Sequence, residues 1–248
     1  MFFSAKKLIE SLRGHAFTPY YQPIFSNLNN KVSGCEVLAR WEHPDKGLLT
    51  ADSFIESIEF NCLTDALTQE LMSSVISQVS GLSGMQKASF LLMLNITLSQ
   101  VMNPVFRQEL IALNNKFKKM SVTPVFEITE RENIRNFPGA ETIFSSLIHH
   151  GMTFAIDDFG AGYSNESLFY ITHSRFIKID RSFTVEPNNP VVRMALILAR
   201  HTGAQVIAEG VECAGQARWL QDCGVDYLQG YFYGHPMSAE NFCGQYAN

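Results

Sequence analysis

Several common signatures are missing from this sequence, and each absence excludes a class of protein. No apolar run reaches about 18 residues, so no segment reads as a membrane span. The opening MFFSAKKLIESL reads as an amphipathic helix over about 4–14 and lacks the apolar core of a signal peptide. There is no C-x-x-C: Cys35, Cys62, Cys213, Cys223 and Cys243 are odd in number and scattered, which points to reduced thiols and a cytoplasmic setting. No H-E-x-x-H occurs, and the only close histidines, His149 and His150, are poorly spaced as co-ligands, so a histidine-bound zinc is excluded. The G-x-G-x-x-G of an open nucleotide-binding sheet is absent. Linkers, low-complexity tracts and runs of charge are also absent. With a net charge of −5 there is no basic excess to meet a nucleic-acid duplex, although a small anion met through cations stays possible.

What is present suits a substantial core. The chain has 248 residues, 46% hydrophobic and 17% charged. Strand patterns fall at 20–24 and 32–40, a pair close enough to form a hairpin, and at 88–96 and 123–129. Two more lie within 152–180, and the last two at 204–210 and 225–230. Helical periodicity covers 54–80 with a break near Asn61, then 98–119, 139–150, 191–202 and 215–223. Residues 41–53 read as a loop, with Asp52 or Ser53 as a helix N-cap. Eight strands alternating with helices in about 250 residues predict an α/β fold closed as a (β/α)8 barrel, one domain over 1–248.

The chemistry lies in what ends the strands. Glu36, Leu38 and Arg40 alternate on one face of the second strand, and the third ends at Asn95. Glu127 lies on the fourth with Glu130 beyond it, and the fifth ends in Asp157-Asp158. The sixth ends at Lys178 and Asp180, the seventh at Glu209 with Glu212 following, and the eighth at Gln229. A lone glutamate at a strand end is an ordinary solvated residue, and a lone lysine an ordinary surface one. The joint pattern over seven strands, at the end where a barrel carries its active site, is not. Gathered carboxylates cost several kcal/mol each unless cations compensate, roughly speaking, and Arg40 and Lys178 are too few. An all-oxygen set favours magnesium or manganese, bound as a pair. Asp158-Phe159-Gly160 is not a kinase metal motif, because no H-R-D loop or glycine-rich lid precedes it. The loop from Phe159 to Ser164 reads at first as a phosphate cradle.

Eight motifs in order then resemble the EAL domain family. They are YQPI at 21–24, Glu36-Val37-Leu38-Ala39-Arg40, LNI with Asn95, FEITE at 126–130, DDFGAGYS at 157–164, KIDRSF at 178–183, AEGVE at 208–212 and LQGYFYGHPM at 228–237. The resemblance implies a modified TIM-type barrel whose first strand runs antiparallel to the rest, and a phosphodiesterase that converts the second messenger cyclic di-GMP to linear pGpG. It implies two Mg2+ or Mn2+ ions, with Ca2+ inhibitory. Glu36, Asn95, Glu127 and Asp157 match the metal ligands, Asp157 bridging to a second ion where Asp158 joins it, and Glu209 matches a further metal residue. Lys178 and Glu209 match residues that hold or activate the attacking water, and Glu212 and Gln229 further essential polar positions. Arg40 and the Leu38 backbone match phosphate contacts, and Gln22 and Pro236 line the family's guanine pocket. Glu130 matches the glutamate that anchors the 159–164 loop, which the resemblance turns from a cradle into a lid and dimer relay.

Departures are few: Val37 stands for the signature alanine, Ala161 for a usual threonine, Asn165-Glu166 are more polar than usual, and His173 stands where proline is common. None removes a ligand. The expected protein is a cytoplasmic homodimer acting on cyclic di-GMP, with no membrane contact and with control by expression, dimerisation or a separate protein partner. The motifs begin by Tyr20, so no sensory, membrane or DNA-binding segment is expected ahead of them. The alternative is a degenerate EAL domain serving as a cyclic di-GMP receptor or protein-binding regulator. Degenerate members lose acidic positions, and here all are kept.

Overall fold

In the computed structural model, residues 2–83, 90–128, 132–161 and 165–246 are described. The chain forms two compact units, Gln22–Glu36 with Ala88–His235, and Met1–Tyr21, Val37–Lys87 and Pro236–Asn248.

The first unit holds a closed barrel. Its strands are the Gln22 end of β1 (Phe17–Ser26), the Val32 end of β2 (Val32–His43), β4 (Phe90–Ile96), β5 (Val122–Ile128), β6 (Phe154–Phe159), β7 (Phe176–Ile179), β8 (Gln205–Ala208) and β9 (Tyr227–Gln229). Around the sheet they run β1-β9-β8-β7-β6-β5-β4-β2, and β1 pairs with β2 to close it. Neighbours from β4 to β9 are parallel, whereas β1 runs antiparallel to β9, with Ile24 opposite Gln229. The expected barrel with a reversed first strand is therefore present, as is the pairing of the first two strands.

Helices α4 (Leu98–Met102), α5 (Pro104–Lys119), α6 (Ala140–His149), α7 (Asn165–Thr172), α8 (Pro190–Thr202) and α9 (Ala214–Cys223) connect the strands. The single helix expected over 98–119 is two, because Asn103 adopts extended backbone and its side chain accepts from the Val105 N–H, with Pro104 opening α5.

Inside the barrel, Ile24, Leu91, Met93, Val125, Ala155, Phe176 and Ile207 form one buried apolar cluster. Gly34 lets β2 approach it: a Cβ there would stand 2.5 Å from the Leu91 carbonyl oxygen and 2.6 Å from the Leu91 Cβ.

The second unit packs α1 (Ala5–Arg13), α2 (Ile55–Phe60), α3 (Thr64–Ser83) and α10 (Ala239–Tyr246) with the remaining parts of β1 and β2 and with β3 (Gly47–Thr50). Phe3, Leu8, Phe17, Trp41, Phe54, Ile58, Leu67 and Leu71 make its core. The break expected near Asn61 separates α2 from α3. Two expectations are corrected here. Residues 41–53 are not all loop, since Gly47 turns at φ 71° and sends β3 back along β2. Neither Asp52 nor Ser53 caps α2: both lie in a 3-10 turn, and Phe54 occupies the cap position without a side-chain bond. No helix among the described residues is long and apolar enough to cross a membrane.

Candidate active site

One pleat period separates the apolar cluster from a polar layer. Two residues beyond Met93, Val125, Ala155, Phe176, Ile207 and Tyr227 come Asn95, Glu127, Asp157, Lys178, Glu209 and Gln229. A strand side chain returns to the same face after two residues, so six apolar positions lining the barrel carry six polar ones above them. Gly34 and Glu36 repeat the relation on β2. On the reversed β1 the order inverts, with Gln22 before Ile24.

Register sets the neighbours. Asn95 lies directly opposite Glu127, and Glu127 opposite Ala155, one step below Asp157. The β6–β7 pairing runs regularly through Ile156 and Ile177, then resumes at Phe159 and Ile179, so β6 carries one extra residue. Asp158 takes up that residue in the left-handed region, at φ 54°. On a regular strand Asp157 and Asp158 would face opposite sides. With the bulge, oxygens of Asp157, Asp158 and Glu209 lie within 4.8 Å of one another.

Lys178 occupies the middle. Its Nζ is 2.6 Å from Glu209 Oε1, 2.9 Å from Glu127 Oε1, 2.9 Å from Asp157 Oδ1 and 3.5 Å from Glu36 Oε2, with the side chain 1% exposed. Burial alone would lower its pKa, but the carboxylates of Asp157, Glu127, Glu209 and Glu36 outweigh it and hold the ammonium well above the ordinary lysine range.

The surrounding carboxylates differ by their donors. Glu36 is buried, which raises its pKa. The Lys178 charge and hydrogen bonds from Gln229 Nε2 at 2.6 Å and Asn95 Nδ2 at 3.2 Å more than reverse that, and it ends below the usual value. Glu127 is fully buried, and its Oε2 finds no donor among the described residues. Burial, with the Glu36 and Asp157 charges adding to it, outweighs Lys178 and pushes Glu127 well above the usual range. Burial likewise lifts Glu209 to about 8 against the pull of Lys178.

Gln22, Gln229 and Glu36 form a chain, Gln229 Nε2 also donating to Gln22 Oε1 at 3.1 Å while Gln22 donates to the Gly234 carbonyl. The structure thus brings together Gln22, Glu36, Asn95, Glu127, Asp157, Asp158, Lys178, Glu209 and Gln229. Asp180 instead caps a 3-10 turn, accepting from the Ser182 N–H at 2.9 Å. Glu212 is exposed and outside the group around Lys178, its N–H donating to Gln216 at the start of α9. Leu38, Arg40 and Pro236 belong to the other unit, where the Arg40 guanidinium lies over the Tyr20 ring and donates to the Ala39 carbonyl. Glu130 and residues 162–164 of the loop lie outside the described residues. Sequence reasoning missed Gly34 and the bulge at Asp158. A glycine two residues before Glu36, on the same face, was a readable signal for the first, and the doubled aspartate for the second.

The donor set suits a hard divalent cation. Among the described residues every nearby ligand atom is oxygen except the amides, no histidine or cysteine intrudes, and Glu127 Oε2 is buried without a hydrogen-bond partner.

The chain is 35% identical over 241 residues to the cyclic di-GMP phosphodiesterase PdeL of Escherichia coli (strain K12), covering 95% of this chain and 67% of PdeL. It is 31% identical over 250 residues to the cyclic di-GMP phosphodiesterase RocR of Pseudomonas aeruginosa, covering 96% of this chain and 62% of RocR. It spans only 46% of another relative, the probable cyclic di-GMP phosphodiesterase PdeG of Escherichia coli (strain K12), so the curated relatives extend well beyond the matched region. The solved complex of the PaMucR phosphodiesterase with c-di-GMP superposes with a TM-score of 0.84 at 26% identity, over 96% of this chain and 98% of that one. The family description that matches residues 5–236 is the EAL domain, and this chain belongs to the EAL domain family.

Proposed function

We propose that this protein is a phosphodiesterase that hydrolyses cyclic di-GMP to linear pGpG. The observation that carries the reading is the polar layer: four carboxylates within 3.5 Å of one buried ammonium, with Asp158 brought beside Asp157 and Glu209 by the bulge. Membership of the EAL domain family, and the activity named for PdeL and RocR, support the same substrate.

Glu36, Asn95, Glu127 and Asp157 would hold one divalent cation, and Asp157, Asp158 and Glu209 a second, magnesium or manganese in each case and with calcium inhibitory. When bound, such a pair would supply positive charge to the phosphoryl oxygens and lower the pKa of a bound water. The remaining work belongs to the side chains. Glu209, held 2.6 Å from the Lys178 ammonium, accepts a proton from the attacking water. As the water oxygen bonds to phosphorus, the bond to the 3′ oxygen breaks, and that oxygen takes up a proton from solvent as it leaves. Lys178 directs its N–H groups at the water and the charge that develops on the phosphate.

Gln229 holds Glu36 in place from behind, and Asn95, which is solvent-exposed, stands at the mouth. Arg40 and the Leu38 backbone serve as phosphate contacts, Gln22 and Pro236 as guanine contacts, Glu212 as a further polar site residue, and Glu130 as anchor of the 159–164 loop. The protein acts in the cytoplasm as a homodimer.

The test is to incubate purified protein with cyclic di-GMP and magnesium or manganese and to identify the product chromatographically. No pGpG with either metal overturns the enzyme reading, and full activity in Glu36→Ala overturns the ligand assignment. Cyclic di-GMP binding in calcium without turnover in magnesium would point to the receptor alternative.

A further inference from the structure

Lys178 is surrounded more completely than a residue that only steers a water needs to be. An ammonium has three hydrogens, and here four carboxylates stand around it, three of them at 2.9 Å or less. Those oxygens are the ones assigned above to the cations, so this inference rests on that two-cation reading. Glu127 Oε1 and Asp157 Oδ1 cannot serve an ammonium and a divalent ion equally, because the ion draws their charge and repels the ammonium at short range. Without a cation, the same carboxylates have no other positive neighbour among the described residues of this layer. Arg40 lies in the other unit.

We propose that Lys178 is a placeholder cation, which neutralises and holds the carboxylate layer in the metal-free protein and is displaced from Glu127 and Asp157 when metal loads. The protein then folds before it acquires metal. Loading performs two acts at once: it fills the site and releases the Lys178 N–H groups to face the water and the phosphate. A lysine that acts only on the water predicts neither the stability nor the competition.

The experiment compares chelator-stripped wild type with Lys178→Met, which keeps the unbranched apolar stem of the side chain and removes its charged end. The readouts are the melting temperature without metal and the affinity for Mn2+ by calorimetry. Removing one partner of a buried ion network in a chain of this size is expected to lower the metal-free Tm by roughly 10 °C. With the competing ammonium gone, the variant is expected to bind Mn2+ on the order of tenfold more tightly. A metal-free Tm unchanged within about 2 °C, or Mn2+ affinity equal to or weaker than wild type, overturns the proposal. Should Lys178→Met not fold without metal, Lys178→Met/Glu127→Gln removes one buried carboxyl left without its Lys178 partner and is expected to fold. A double variant no more stable than the single one overturns the proposal. Wild type that binds no Mn2+ would sink the two-cation reading, and the metal-free Tm comparison would still decide whether Lys178 is the counter-ion.

Discussion

Asp158 offers the most direct test of how the backbone builds this site. It holds a φ of 54° at the point where β6 gains a residue over β7. The left-handed region costs an L-residue roughly 1–2 kcal/mol, a cost that aspartate softens and alanine does not. Glycine avoids that cost but gives back about 0.5–1 kcal/mol through the freedom it has when unfolded. Asp158→Gly and Asp158→Ala both remove the carboxylate, and with it the same repulsion from Asp157 and Glu209, so comparing the two isolates the backbone. The glycine variant is expected to be more stable than the alanine variant by about 0.5–1 kcal/mol. In a chain of this length that is roughly 2–3 °C in Tm. Urea unfolding of chelator-treated protein, with equal m-values for the two variants, measures it directly. An alanine variant as stable as the glycine variant refutes the bulge as the device that turns both aspartates to one side. Both variants should also lose most of the stabilisation that Mn2+ gives wild type, since a ligand stabilises only through the affinity it has for the folded state.

Three other consequences are open to measurement. Gly34→Ala places a methyl 2.5 Å from the Leu91 carbonyl oxygen, and the strand must shift; the expected cost is about 1–3 kcal/mol in urea unfolding, with a fall in turnover because Glu36 is two residues away. Gln229→Ala strips the 2.6 Å bond that orients Glu36 and is expected to weaken metal affinity or activity by roughly 10–100-fold with little change in the overall fold by circular dichroism. Glu209 keeps its proton in the folded state up to about pH 8 but loses it near its ordinary value of 4.5 when unfolded. Its contribution to metal-free stability is therefore full below about pH 4.5 and fades as pH rises through 8, so Tm should fall across that window, and Glu209→Gln should flatten the slope. A slope unchanged in Glu209→Gln would show that another group carries it.

The barrel was legible because its signals are repeated and local. Dense apolar runs such as FLLMLNI at 90–96 and VTPVFEI at 122–128 are buried almost throughout, and the helices between them keep their own periodicity. What escaped were features decided by one residue's backbone. Gly47 turns the chain at φ 71° and makes β3 out of residues that look like loop, and Asn103 interrupts a continuous helical pattern by accepting from the Val105 N–H. Helix α10 had no expectation at all. It buries Phe242 in its own unit, against Tyr21 on β1, a contact more than two hundred residues away along the chain that no window of sequence contains.

For the site, spacing within a strand counted for more than residue type. Lys178 and Asp180 are two residues apart, and strand periodicity puts both on one face, yet only Lys178 joins the carboxylates. The strand ends at Ile179, and Asp180 turns to cap the residues that follow. Asp157 and Asp158 show the reverse, adjacent residues that periodicity separates and a bulge reunites. Glu36 and Glu127 carry the point into electrostatics. Both are glutamates inside the barrel beside the same lysine, but Glu36 has Gln229 and Asn95 as donors and Glu127 has a bare Oε2. Burial pushes both upward; the Lys178 charge, with the Gln229 and Asn95 donors, brings Glu36 below the ordinary range, whereas the Glu36 and Asp157 charges add to burial and leave Glu127 far above it. The motif names both residues alike, whereas the charges around each, and the side chains on β4 and β9 that reach one and not the other, set them apart. An arriving cation therefore gains most at Glu127, whose unmet oxygen is the strongest local reason for this layer to bind one.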